Sequence, residues 1–156
     1  MVNRMFEVLN FLSDYFGNEE LNWALTGSCN FYIQGLDVSV ADIDIQTDKE
    51  GAYQIDKLLA QYSLREVTYS ETENICSHFG IFIIDGVTVE VMGDMRKKLP
   101  DGTWEKQIDL KSNIVYAYYK RLKLPVLSLE YEAEAYERLG RKQKARMLRN
   151  FLEQDG

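Results

Sequence analysis

Apolar side chains recur at helical spacing near the start of the chain. Met5, Val8, Leu9 and Leu12 form an i, i+3, i+4, i+7 stripe that predicts an amphipathic helix over residues 3–16, stopped by Gly17-Asn18. Leu21-Asn22-Trp23-Ala24-Leu25-Thr26 is short and alternating, which predicts a strand broken by Gly27-Ser28; residues 28–35 then predict a short helix ending at Gly35. From Val38 to Gln46 the pattern becomes a strict alternation, Asp42-Ile43-Asp44-Ile45, a second strand. Thr47 and Glu50 form a T-x-x-E capping box for a helix whose stripe is Ala52, Ile55, Leu58 and Leu59. Residues 64–69 read as a third strand. The strongest local signal is Gly80 to Met92, two β-rich runs joined by Asp85-Gly86, which predicts a tight hairpin. Residues 93–112 are polar and loop-like, and Asn113 to Tyr119 fits a strand or a helix. Leu127-Ser128 opens a helical tail, with Glu130, Glu132, Glu134 and Glu137 before Gly140 and Arg141, Lys142, Lys144, Arg146 and Arg149 after it.

Early alternation of strands and helices, a hairpin, then terminal helices together predict an α+β fold. Its mixed sheet of about five strands is packed with helices in two layers, unlike a doubly wound parallel sheet. Only two prolines and no Ser/Gly-rich linker interrupt the 156 residues, so one domain is expected over 1–156, with its core at about 20–95 and a helical tail at about 127–154. Hydrophobic residues at 46% exclude a disordered chain. Cys29 and Cys76 have no CxxC spacing, which argues against a zinc site or a disulfide framework. No secretory leader and no stretch of ~20 apolar residues is evident, so a reducing cytoplasm is the expected compartment and no membrane partner is expected. Eighteen Lys and Arg against 25 Asp and Glu give a net charge of −7, which argues against nucleic acid as a partner. A small phosphorylated ligand held by backbone amides and a metal remains compatible.

On a strand, residues i and i+2 share a face, so Asp42 and Asp44 project together while Ile43 and Ile45 enter the core. Neighbouring carboxylates repel unless a proton or cation lies between them. Magnesium suits such a pair, because it takes oxygen ligands and keeps waters that a phosphate can replace. Taken alone, the pair also reads as a solvated strand face. Glu90, between Val89 and Val91, joins the aspartates if the two strands are neighbours, and is otherwise an outward charge on an edge strand. At Thr26-Gly27-Ser28 a strand gives way to a helix. Glycine lets a ligand approach the backbone closely, and the free N–H groups and Ser28 hydroxyl suit a phosphate. The same residues also make an ordinary capped turn.

Taken together, Leu25-Thr26-Gly27-Ser28, then Ala41-Asp42-Ile43-Asp44-Ile45, then Val89-Glu90-Val91 resemble the signature of the nucleotidyltransferase fold superfamily that includes DNA polymerase beta. The match looks best to small bacterial nucleotidyltransferase-like proteins and their antibiotic-modifying relatives. Lys123 to Glu130 looks like the linker into that group's tail helices. The resemblance implies that Gly27 and Ser28 hold a nucleoside triphosphate, with ATP the expected one. It implies that Asp42, Asp44 and Glu90 bind Mg2+ and act in catalysis, moving a nucleoside monophosphate to a small-molecule or protein hydroxyl. Ser39-Val40-Ala41 carries no basic residue where many relatives have one, and the tail offers no carboxylate after Arg141. These departures suggest the alternative of a catalytically inactive binding or regulatory module, such as a toxin–antitoxin-type partner.

Other features have plainer readings. His78, the single histidine, is expected to be a hydrogen-bonded structural residue. The basic tail is expected to pack between helices, with phosphate or nucleic-acid contact as the other reading. Arg96-Lys97-Lys98 reads as a solvated loop. Ten tyrosines and an exposed edge strand leave a homodimer open.

Overall fold

The structure, a computed structural model, describes residues 3–155. The elements in order are α1 (Asn3–Phe16), β1 (Trp23–Thr26), α2 (Gly27–Ile33), β2 (Ile43–Thr47), α3 (Lys49–Leu58), β3 (Ser63–Glu71), β4 (Ile75–Ile84) and β5 (Val87–Lys97). They continue with β6 (Ile114–Tyr119), β7 (Leu122–Leu127), α4 (Leu129–Arg138) and α5 (Lys142–Asp155). The architecture is α+β, and its mixed sheet has seven strands in the order β3-β4-β5-β2-β1-β7-β6, where five were expected. Only β2–β5 and β1–β7 are parallel.

Alternation decides what each face of the sheet does. Leu25, Ile43, Ile45, Val89 and Val91 are fully buried on one face, beneath the predicted stripes of α1 and α3. Burial of each such side chain contributes roughly 1.5–3 kcal/mol. The intervening residues Thr26, Asp44, Gln46, Glu90 and Met92 face the other way, where α4 stands over them. A second apolar cluster of Phe31, Leu36, Leu129, Ala133 and Leu148 packs α4 and α5 against α2.

Several sequence expectations need correction. The second strand begins at Ile43, so residues 38–42 lead into it and Asp42 sits in a bend. The α3 cap is Asp48, whose carboxylate accepts the Gly51 N–H at 2.6 Å, in place of the expected Thr47 box. The Thr47 hydroxyl is instead turned to the Asn22 carbonyl at 2.7 Å. Replacing Asp48 by Ala should cost about 1 kcal/mol of stability, read by urea unfolding.

The hairpin forms as expected, with Asp85 (φ 49°) and Gly86 (φ 78°) both in the left-handed region its tight turn needs. Its second strand runs on to Lys97, through a stretch expected to be loop. Lys97 is consequently buried, with its ammonium 3.0 Å from Glu105. Lys123 to Leu127, expected to be linker, lies in strand β7, and Asn113 to Tyr119 resolves as β6 from Ile114. The sheet therefore extends well beyond the expected core of 20–95. Cys29 and Cys76 are buried free thiols. No helix among the described residues is long and apolar enough to cross a membrane.

Candidate active site

The parallel ladder pairs Asp44 directly with Glu90, and the antiparallel one pairs Asp44 with Thr26. One row across three strands thus reads Thr26, Asp44, Glu90. The expected adjacency of the two carboxylate-bearing strands is present. This row forms the wall of a cavity of about 280 Å3, closed by Glu132, Tyr136, Leu139 and Arg141 from the C-terminal helices.

Asp44 is crowded by negative charge. Its pKa is pushed up to about 7, first by burial, then by Glu90, Asp42 and Glu132. A hydrogen bond between the Asp44 and Glu90 carboxyls contributes to the rise at Asp44. Asp42 reaches Asp44 through its charge, from the bend before β2. Among the described residues, no three His, Cys, Asp or Glu side chains are already gathered into a metal cage.

Gly27 sits at φ 70°, and a Cβ there would meet Asp44 Oδ2 at 2.8 Å. Only glycine allows the turn to lie this close to the carboxylate. Its N–H is already bonded to Glu132, so what it offers a ligand is space rather than a donor. Ser28 is half-buried at the start of α2.

Glu132 was not anticipated as a site residue. It is 3% exposed and accepts three hydrogen bonds: from the Thr26 hydroxyl at 2.7 Å, the Gly27 N–H at 3.0 Å and the Asn30 side-chain amide at 2.8 Å. Burial lifts its pKa to about 7, against those bonds and the Lys144 charge. Its signal was present in the sequence. It falls three residues after Leu129 and one before Ala133, on the buried stripe of α4. A carboxylate on an apolar face needs a partner.

The basic tail divides in two. Arg149 pairs with Glu137 of α4, the packing between helices that is expected of the tail. Arg141 instead lines the cavity, and both it and Lys144 lie over the Tyr136 ring, at 5.9 and 5.3 Å from its centroid. His78 takes the structural role expected of it. Its Nδ1 lies 2.8 Å from Tyr53 Oη, and Tyr53 and Tyr69 pack against its ring. Burial, then Lys49, lowers its pKa, which favours the neutral ring.

The two raised carboxyls predict how stability varies with pH. A folded-state pKa above the unfolded one contributes stability that is complete below the unfolded value and lost as pH rises through the folded value. For Asp44 and Glu132 that window runs from about 4 to about 7. The ligand-free protein should lose several kcal/mol across it, measured by urea unfolding at fixed ionic strength. Asp44→Asn should remove part of the slope.

This is the fold of the nucleotidyltransferase superfamily, as comparison with solved structures bears out. A crystal structure of a candidate nucleotidyltransferase from Thermotoga maritima (TM1012) is 49% identical and superimposes with a TM-score of 0.85, covering 99% of this chain and 96% of that one. The lincosamide antibiotic adenylyltransferase LnuA, solved with lincomycin, shares the fold at 16% identity, with a TM-score of 0.59 and 96% of each chain covered. The enzyme ANT(2'')-Ia, solved with adenylyl-2''-tobramycin, does so at 10% identity, with a TM-score of 0.62, covering 95% of this chain and 89% of that one. A family model for aminoglycoside-2''-adenylyltransferase matches residues 7–151, and the chain belongs to that family. No curated protein sequence matches it.

Proposed function

We propose that this protein is a magnesium-dependent nucleotidyltransferase that moves a nucleoside monophosphate from a nucleoside triphosphate, ATP being the expected donor, to a hydroxyl of a small molecule. The observation that carries this reading is the Asp44–Glu90 pair, set side by side across β2 and β5 and facing a cavity that Arg141 also lines. The donor set fits magnesium. It consists of carboxylate oxygens alone, and their mutual repulsion is what a hard cation relieves. Asp44 and Glu90 would hold the ion, and the charge of Asp42, which is felt at Asp44, would add to its attraction. When bound, it would supply charge neutralisation at the phosphates.

The chain's own groups account for the rest. The missing side chain at Gly27 leaves room for a phosphate beside Asp44, and Ser28, the next residue, would donate its hydroxyl to it as the family resemblance implies. Arg141 and Lys144, seated on Tyr136, offset the negative charge that develops on the departing pyrophosphate. They stand in for the basic residue missing before Asp42. The acceptor oxygen would attack the α-phosphorus as the bond to the bridging β-phosphate oxygen breaks, with Glu90 helping as metal ligand or as the base that takes the acceptor's proton.

An adjoining cavity of about 350 Å3 shares Gln46 and Met95 with the first and is also lined by three aspartates, Asp48, Asp94 and Asp109, against one cation, Lys111. Its acidic wall suits an acceptor alcohol that also carries amines. The names of ANT(2'')-Ia and LnuA as antibiotic-modifying enzymes support that choice. Calorimetric titration of ATP with and without magnesium tests the first step, and pyrophosphate release with a panel of amino alcohols tests the second. Magnesium-dependent binding and release are expected. ATP binding indifferent to magnesium would remove the metal from the reading, and the absence of release with every acceptor would favour the inactive module.

A further inference from the structure

We infer that Glu132 is the positioning residue of this site, the group through which the C-terminal helices hold the nucleotide-binding turn in place. The inference rests on the reading above, since it names what sets the turn that a nucleotide would meet.

Glu132 belongs to α4, yet each of its three bonds reaches the β1–α2 turn, about a hundred residues earlier in the chain. All three partners are donors, so both carboxyl oxygens act as acceptors. The Thr26 hydroxyl also receives the Gln46 side-chain amide at 3.3 Å, so its own hydrogen is directed to Glu132. Asn30 is tied a second time, through its amide to the Leu127 carbonyl at 2.8 Å. The turn is therefore pinned at Thr26, Gly27 and Asn30 by one side chain. Gly27 in turn bears on Asp44, and that contact leaves no slack, because a single added methyl would overlap the carboxylate. Loss of these bonds is thus passed to Asp44 through the turn, whereas weaker packing of α4 that leaves them in place is not. Glu132 also lines the cavity beside the acidic pair, but its hydrogen bonds all go to the turn and none to Asp44 or Glu90.

The test compares calorimetric affinity for ATP with magnesium across folded variants. Glu132→Gln can keep the geometry: its carbonyl oxygen faces Gly27 and Asn30, and its amide donates to a Thr26 hydroxyl that turns round. It should bind within about threefold of the wild type. Glu132→Leu keeps the bulk and loses every acceptor, and it should bind at least tenfold more weakly. Thr26→Val is isosteric and removes one bond, so it should bind about threefold more weakly, and it serves if the leucine variant does not fold. Leu129→Ala loosens α4 through its apolar cluster while sparing the three bonds. It should lose stability and keep its affinity, which a merely structural role for Glu132 would not allow. If folded Glu132→Leu and Thr26→Val both bind within twofold of the wild type, the inference is overturned alone. If the wild type binds no ATP at any magnesium concentration, the site reading falls and the inference falls with it.

Discussion

Asp44→Asn should lower nucleotidyl transfer by at least about a hundredfold, and Glu90→Gln should do nearly as much. Each change keeps the side chain's volume and takes away one charge from the pair that faces the cavity. The expected signature is a loss of turnover without a loss of stability. Asp44 is held beside Glu90, Asp42 and Glu132, and burial raises the cost of its charge further. Above pH 7, where Asp44 ionises, Asn should therefore leave the ligand-free protein as stable as the wild type or more so. Stopped pyrophosphate-release assays give the first number and thermal unfolding at pH 8 gives the second. A variant that unfolds more easily and still turns over normally would show Asp44 to be a structural residue.

Lys97→Met should be among the most damaging substitutions outside the site, at about 3 kcal/mol in urea unfolding. The Lys97 and Glu105 side chains are 3% and 9% exposed, and they meet at 3.0 Å. Removing the ammonium leaves the Glu105 carboxylate with the Lys97 N–H at 2.9 Å and a long contact to Arg138 at 3.5 Å. Glu105→Gln added to Lys97→Met should recover about half the loss. A glutamine oxygen still accepts the Lys97 N–H, and no unpaired charge remains buried. If the double variant is no better than the single, the cost lies in packing against Tyr131 rather than in charge.

Local patterns made much of the fold legible. The stripe of α1, the Asp85-Gly86 turn and the alternation at Ile43 and Ile45 depend on near neighbours, and all three formed as read. Asp44 and Glu90 were also legible, since strand alternation fixes which way they point, and so was Gly27, from the break it makes after β1. Strand β7 was hidden by Pro125, whose missing N–H argues against an interior strand. The chain tolerates it because β1 and β7 pair only at Leu25 and Val126. Lys97 looked solvated because its partner, Glu105, lies beyond the strand, in a segment with no periodicity. Glu132 and Arg141 could be read as helix residues, but their place over the sheet depends on how α4 folds back across it.

The separation in sequence between Glu132 and the turn it holds has a kinetic consequence. Helices and the β4–β5 hairpin join near neighbours and can form early, while contacts that close long loops come late. The β1–β7 pairing and the bonds from Glu132 close loops of about a hundred residues. During synthesis the acidic pair can be placed as soon as β5 has emerged, but the turn is pinned only once α4 has left the ribosome. The nascent chain thus acquires the strands that carry its acidic pair before it acquires its site, and the competence proposed for it waits on α4.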